Sequence, residues 1–290
     1  MRDAQMFAED GRPIGAVYGY LDMVTRLVVS RHPDEVVHVY DHDWRPTART
    51  EIYGGYKAER PPEPEELTTQ FALLREVLDL TDMPQAHAPD WEAEDAIGGL
   101  CVRAEPDDAI EIVSGDRDLL QLVRDAPPSI TVLFTVRGVS ELHTFDEAGV
   151  LEKYGVPASR YAEFAILRGD PSDGLPGVRG VGEKTARALI QTYASLDDIV
   201  ADAASASPQP GPLKGKPALR ARIVEARDYL EAMQRLVPIN ATTPVDVWAG
   251  DRWDEAAQGL ADEVGLRGPM QRLLAALDSR DRGGAPVDQP

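Results

Sequence analysis

A single cysteine, Cys101, stands in a chain of 290 residues, which excludes an internal disulfide and fits a reducing cytoplasm. Cys101 itself reads as a small hydrophobe buried in a helix rather than a catalytic thiol. No apolar run approaches the roughly 18 residues a membrane helix needs. The N-terminus, MRDAQMFAEDGRP, lacks the basic-then-apolar layout of a secretory signal, so a cytoplasmic protein is expected. Positive charge is scarce as well: 30 Lys and Arg face 50 Asp and Glu, a net charge of −20. That excludes a protein that coats nucleic acid by bulk charge, while leaving room for a local basic surface. The hydrophobic content of 43% and charged content of 28% are those of a globular chain with one large domain or two smaller ones.

The apolar pattern alternates. EVVHVY (Glu35–Tyr40), AIEIVS (Ala109–Ser114) and SITVLF (Ser129–Phe134) are β-branched runs of strand length. Between the first two, PEPEELTTQFALLREVLDL places Leu67, Phe71, Leu74 and Leu78 at helical spacing, and WEAEDAIGGLCVRA (Trp91–Ala104) reads as a helix despite two interior glycines. Strands alternating with helices predict a mostly parallel α/β sheet. From about Tyr161 the pattern turns helical, through YAEFAILRG, EKTARALIQTY and LRARIVEARDYLEAMQRL. ADAASASPQPGPLKGKP between the last two predicts a polar, mobile loop. VPINATTPVDVW predicts one more strand, LADEVGLRGPMQRLLAAL a last helix, and the end of the chain a disordered tail.

The carboxylates fall where such a sheet binds ligands, at the carboxyl ends of its strands. Asp41 follows the first strand; Asp116 and Asp118, in IVSGDRDLL, follow the second. Glu92 and Asp95 share a helix face, with Glu94 adjacent. Asp170 and Asp173 open GDPSDGLPGVRGVGEKTARAL, whose five glycines and two prolines run into a helix start suited to a phosphate. Acids converging from four segments would repel one another unless multivalent cations intervened, and hard oxygen ligands select Mg²⁺ or Mn²⁺. Two such ions about 4 Å apart clamp the attacking and leaving oxygens of a phosphodiester. Taken singly, each acid is more simply a turn former, a helix cap or a solvated face.

Five stretches, in order, resemble the bacterial 5′-3′ exonuclease and flap endonuclease family, which includes the N-terminal nuclease domain of DNA polymerase I. They are YDHDWRPTAR, YKAERPPEPEEL, WEAEDAIGGL, IVSGDRDLLQLV and GDPSDGLPGVRGVGEKTA, within a similarity running from about Phe7 to Leu277. The resemblance implies a PIN-like, Rossmann-like sheet with helices on both faces and a helix–three-turn–helix subdomain. It divides the chain into residues 1–160 with a helical arch, 161–240 for DNA binding, 241–278 as a closing strand and helix, and a tail from 279 to 290. It assigns Asp41, Glu92, Glu94 and Asp95 to one metal cluster, and Asp116, Asp118, Asp170 and Asp173 to the rest of the site. It makes Lys57 and Arg49 the catalytic cations, Lys57 stabilising phosphate charge in the transition state; Arg49 and Arg60 would grip DNA near the arch, and Tyr56 would bind DNA there as well. Gly177, Gly180 and Gly182 would bend the backbone so that its amides, with Arg179, Lys184 and Thr185, hold a duplex phosphate next to a K⁺ ion.

Two departures accompany the resemblance. Glu94 stands where the family has Asp, and the family's opening strand with its metal-binding Asp has no counterpart, since Asp3 and Asp10 precede no strand-like run. The sheet should then show unpaired strand edges and exposed apolar surface. A start assigned too far downstream is the expectation, with a shortened, impaired paralogue as its alternative. The implied activity is a monomeric, Mg²⁺-dependent nuclease acting on 5′ ends or flaps at duplex junctions, alone or beside a DNA polymerase. A DNA-junction-binding protein without catalysis and an RNA-directed nuclease are the rivals.

Overall fold

The computed structural model describes residues 6–61, 64–250 and 255–281. The chain opens on α1 (Gly15–Arg31), followed by β1 (His38–Val39), α2 (Thr47–Ile52), α3 (Glu65–Leu78), β2 (Gln85–His87) and α4 (Ala93–Arg103). Next come β3 (Ala109–Ser114), β4 (Ser129–Thr135), β5 (Leu142–Phe145), α5 (Glu147–Tyr154), α6 (Tyr161–Arg168), α7 (Glu183–Thr192) and α8 (Leu196–Ala204). The chain continues through α9 (Pro217–Glu225), α10 (Arg227–Leu236), β6 (Asp246–Trp248), α11 (Glu255–Glu263) and α12 (Arg267–Asp281). The fold is mixed α/β.

The strands form two three-stranded sheets, β1-β2-β6 and β3-β4-β5, among the described residues. Each joins one parallel pair (β1 with β2, β3 with β4) to one antiparallel strand (β6, β5). The expected single sheet is therefore interrupted, with β1 and β3 each paired on one side only. Val113 on β3 is 39% exposed. The first strand is also shorter than the run Glu35–Tyr40 suggests, with two residues in the ladder.

Three clusters make up the interior. The largest runs from Tyr56 through β3, β4 and α6–α10, so the helical part from Tyr161 shares one core with half of the sheet structure. A second gathers α1, α3, α11 and α12; a third, small one, Ala86, Ala88, Ala96 and Val245, lies between β2 and α4. The two glycines inside α4 are packing devices: a Cβ on Gly98 would come within 2.6 Å of Ile239, so a bulkier residue would push the incoming chain away.

Several expectations are corrected. Burial in α3 is confined to its second half, on Leu73, Leu74, Val77 and Leu78, while Phe71 is 44% exposed and Leu67 half-buried. The run LRARIVEARDYLEAMQRL is two helices, α9 and α10, parted at Ala226 without glycine or proline. The final predicted helix is likewise two, parted at Gly265, whose positive φ of 73° ends α11. The predicted mobile loop begins inside α8, whose N-cap Ser195 accepts the Asp198 N–H at 3.1 Å, and its middle is pinned by Leu213, fully buried in the main core. α12 continues through Asp281, past the expected start of the tail, and residues 282–290 lie outside those described, as does Asp3.

Candidate active site

The N-terminus of α4 delivers three carboxylates, Glu92, Glu94 and Asp95, whose oxygens lie within 4.8 Å of one another. Asp95 Oδ2 accepts the Glu92 N–H at 3.3 Å, which is why the helix starts two residues later than the sequence suggests. Into this group runs Arg49 from α2, 3% exposed, pairing with Glu92, with Glu94 at 2.5 Å and with Asp95 at 2.9 Å. Tyr56 donates its hydroxyl to Glu92 at 2.6 Å, Lys57 Nζ pairs with Glu92, and the Asn240 N–H donates to Asp95 at 2.8 Å. Burial alone would lower the Arg49 pKa, but Glu94, Tyr56, Asp95 and Glu92 together raise it, so the guanidinium stays charged. Burial pushes Asp95 up from the usual carboxylate range, against the pull of Arg49.

A second triad joins Glu94 to two aspartates of the neighbouring cleft. Asp116 and Asp118, just beyond β3, bring carboxylate oxygens within 4.8 Å of Glu94. Asp116 Oδ1 accepts the Asp118 N–H at 2.9 Å, opening a 3-10 turn over Asp118–Leu122. Neither aspartate has an ion pair among the described residues. Burial, then the charges of Asp116, Asp173 and Asp170, push Asp118 up to about 7. Burial also raises Glu94 well above its ordinary value, with Arg49 opposing and Glu92, Asp118 and Asp116 adding to it. The cleft, about 280 Å³, is lined by Arg60, Asp116, Arg117, Asp118, Asp170 and Asp173. An all-carboxylate donor set in which burial and like charge push Glu94 and Asp118 up is what a hard divalent cation relieves, so these residues fit one.

The expected groupings are therefore redrawn. Glu94 joins the two triads. Asp41 belongs to neither: its Oδ1 accepts the Ala93 N–H at 2.7 Å, capping α4, and burial raises its pKa. Asp170 caps a short turn, accepting the Ser172 N–H at 2.9 Å, and Asp173 pairs with Arg60 at 2.8 Å; burial raises Asp173. Arg49 and Tyr56, expected against DNA, are buried at 3% and 2% and bind the first triad instead. Lys57 is 7% exposed and holds φ of 50°, a left-handed conformation that costs a non-glycine residue about 1–2 kcal/mol. Its N–H donates to the Asp173 carbonyl at 2.9 Å, which ties the segment after α2 to the loop after α6.

That loop, residues 169–182, joins α6 to α7. Gly177 has φ of 65°, and a Cβ there would meet the Arg168 and Gly169 backbone at 2.5 Å, so only glycine fits. Its N–H donates to the Tyr229 hydroxyl of α10 at 3.0 Å, a support no sequence signal announced. Gly180 also has positive φ, whereas Gly182 is extended at −93° and serves as the N-cap of α7 without a side-chain cap. The first N–H groups of α7 therefore lack side-chain partners and point out of the helix beside exposed Arg179 and Lys184 and half-buried Thr185. Arg222 of α9 rests its guanidinium against Gly180, and Arg117 lines the cleft; neither was singled out from sequence. Arg117 sits inside the GDRD stretch itself, so its position was the available signal.

The chain matches two family models: the 5′-3′ exonuclease N-terminal resolvase-like domain over residues 1–155, and the 5′-3′ exonuclease C-terminal SAM fold over residues 156–257. It is 40% identical over 295 residues to a 5′-3′ exonuclease of Mycobacterium tuberculosis (strain ATCC 25618 / H37Rv), covering 94% of this chain and 91% of that protein. It is 38% identical over 283 residues to DNA polymerase I of the same strain, covering 96% of this chain and 30% of the polymerase. Among solved structures, the T5 D15 protein co-crystallised with metal ions superposes with a TM-score of 0.59 at 17% identity, over 90% of both chains. Flap endonuclease-1 from Methanococcus jannaschii does so with 0.58 at 15% identity, over 97% of this chain and 87% of that one. Likeness at that identity speaks for the fold; two family models in tandem and a 40% identical relative matched nearly end to end say more. The chain belongs to the 5′-3′ exonuclease family, with both the resolvase-like and the SAM-fold domain.

Proposed function

We propose that the protein is a divalent-metal-dependent 5′-3′ exonuclease and 5′ flap endonuclease that hydrolyses DNA and RNA-primer phosphodiesters at duplex junctions in replication and repair. The observation that carries this is the Glu94–Asp116–Asp118 triad, three carboxylates with oxygens within 4.8 Å of one another, two of which, Asp116 and Asp118, line a cleft together with Asp170 and Asp173. These five residues would hold Mg²⁺ or Mn²⁺, two ions in all, with Asp41 at their margin. When bound, such ions activate water and spread the charge of the phosphoryl group. Glu92 and Asp95, already neutralised by Arg49 and Lys57, orient Glu94 at the start of α4 rather than binding an ion themselves.

The remaining residues bind and position. Arg60 and Arg117 face the cleft, where they would steady the scissile phosphate, and Lys57, which pairs with Glu92, would stabilise phosphate charge by leaving that pair. The exposed N-terminus of α7, with Lys184 and Thr185, would take a duplex phosphate without reading sequence, with Arg179 beside it and K⁺ on the loop's carbonyls. Residues 1–160 would carry the chemistry, 161–240 the duplex, and 241–278 the closing strand and helix. The bond broken is that between phosphorus and the 3′-oxygen: water's oxygen joins phosphorus, leaving a 5′-phosphate, and a proton goes to the departing 3′-hydroxyl. The protein would work as a monomer beside a polymerase.

The test is cleavage of a 5′-labelled flap duplex with Mg²⁺ or Mn²⁺, comparing this chain with Asp116→Asn. Cleavage by the first alone is expected. Junction binding by a folded protein with no cleavage from either would leave a binding protein in place of the nuclease.

A further inference from the structure

Cations are unevenly placed in this acidic chain. It has five lysines, and three of them, Lys184, Lys214 and Lys216, lie on α7 or in the turn before α9. From Ala203 to Val224 there is no Asp or Glu, while Lys214, Lys216, Arg220 and Arg222 fall in that stretch. Arg220 is already committed to the end of α8, donating to the Ala203 carbonyl at 3.1 Å and to that of Ser205. Lys214, Lys216 and Arg222 have no ion pair among the described residues, nor do Arg179 and Lys184.

The turn that carries the two lysines is built, not loose. Leu213 is fully buried, the Lys214 N–H donates to Gly211 at 3.2 Å, and the Lys216 N–H donates to Leu213 at 3.2 Å. Lys214 and Lys216 are exposed on either side of Gly215. Arg222, half-buried, lies against Gly180 of the loop before α7, next to exposed Arg179. Lys216, just before α9, and Arg222 within it are six residue steps apart, about 9 Å at the helical rise per residue. That spans between about two and three nucleotide steps of a duplex strand at its 3.4 Å rise.

We propose that the 211–216 turn and Arg222 form a second phosphate-binding strip, continuous with the loop before α7, that holds the sugar-phosphate backbone of duplex DNA. It rests on the reading above that the α7 terminus faces a duplex phosphate, and it lengthens that contact by one strip. An unpaired cationic surface in a protein of net charge −20 concentrates attraction for a polyanion in one place and repels it elsewhere, so it orients the duplex as well as holding it.

The experiment measures binding of the full chain to a fluorescent blunt duplex without flap, in EDTA, across a KCl series. Lys214→Ala/Lys216→Ala is compared with wild type, and a triple variant adds Arg222→Ala; circular dichroism and melting check folding. Since each neutralised phosphate contributes about 0.9 to the slope of log affinity against log salt, the double variant should lower the slope by about 2 and the triple by about 3. The exposed pair alone keeps the test decisive should Arg222→Ala disturb packing. A slope equal to wild type in the folded double variant overturns the strip. Because no metal or cleavage enters the readout, a steep wild-type slope in a protein that fails to cut flaps would sink the nuclease reading and leave the strip standing.

Discussion

The two triads that share Glu94 are built from the same side chains and live in opposite electrostatic states. Around Glu92, Glu94 and Asp95 the protein supplies its own cations, Arg49 and Lys57, together with the Tyr56 hydroxyl and the Asn240 amide. Around Glu94, Asp116 and Asp118 it supplies other carboxylates, and Asp118 rises to about 7. Buried charge that is neutralised internally makes scaffold; charge left facing its own kind stores a demand for an external cation. Under the function proposed above, the ion seat would lie on one side of Glu94 and the groups that hold Glu94 in place on the other.

The sharpest way to break this comparison is Asp118→Asn. It should cut flap cleavage by a thousandfold or more, roughly 4 kcal/mol of transition-state stabilisation at 1.36 kcal/mol per decade. The same substitution should raise the melting temperature of metal-free protein at pH 8, because it removes a carboxylate that folding forces against Asp116, Asp170 and Asp173. Lower activity with lower stability would mean that Asp118 is scaffold and the two triads are alike.

Arg49→Met tests the other side. It leaves three buried carboxylates without their central cation, and breaking a buried charge network from one partner costs about 3–5 kcal/mol. Urea unfolding should register that loss with Arg49→Met and a much smaller one with Arg60→Met, whose pair with Asp173 is half solvent-exposed. Equal losses would erase the distinction between the neutralised and the open triad.

A divalent ion should stabilise only the second triad. At 100 times its Kd it adds about 2.7 kcal/mol to stability, visible as a rise in melting temperature. Asp118's folded pKa is raised, so the proton it retains up to about pH 7 must leave when an ion binds. Calorimetry in buffers of different ionisation enthalpy should detect that release, and affinity should weaken as pH falls below about 7. Affinity flat from pH 8 to pH 5.5 would place the ion away from Asp118.

How much of this was legible in the sequence follows from what each element rests on. β3 and β4 are self-evident, since AIEIVS and SITVLF are β-branched runs whose pairing satisfies both pattern and propensity. The acids of the cleft were legible because carboxylates after strands and at a helix start are chemistry written in residue type. Their partition into two triads was not, because it is decided by Arg49, which comes from 43 residues before Glu92 and whose burial depends on tertiary packing. The break at Ala226 carried no local signal, and the buried Leu213 sat in a stretch whose prolines and glycines spoke only of a loop. The strip of cations was hidden by the whole-chain charge of −20, which averages away what the fold gathers.

The finest probe of the contrast is Tyr56→Phe. The hydroxyl donates to Glu92 at 2.6 Å and accepts from Arg49 at 3.1 Å, so its removal leaves Glu92 with Arg49 and Lys57 still in place. Removing a hydrogen bond to a charged group costs about 1.5–3 kcal/mol, and the two remaining cations should bring the loss to the lower end of that range. Its effect on divalent affinity should be smaller still, within about threefold, or 0.7 kcal/mol. Glu94 is the one residue common to both triads: it pairs with Arg49 at 2.5 Å, and the Tyr56 hydroxyl is not among its partners. If Tyr56→Phe weakens divalent binding tenfold or more while the protein stays folded, then the aim of Glu94 is transmitted through Glu92, and the two triads work as a single network.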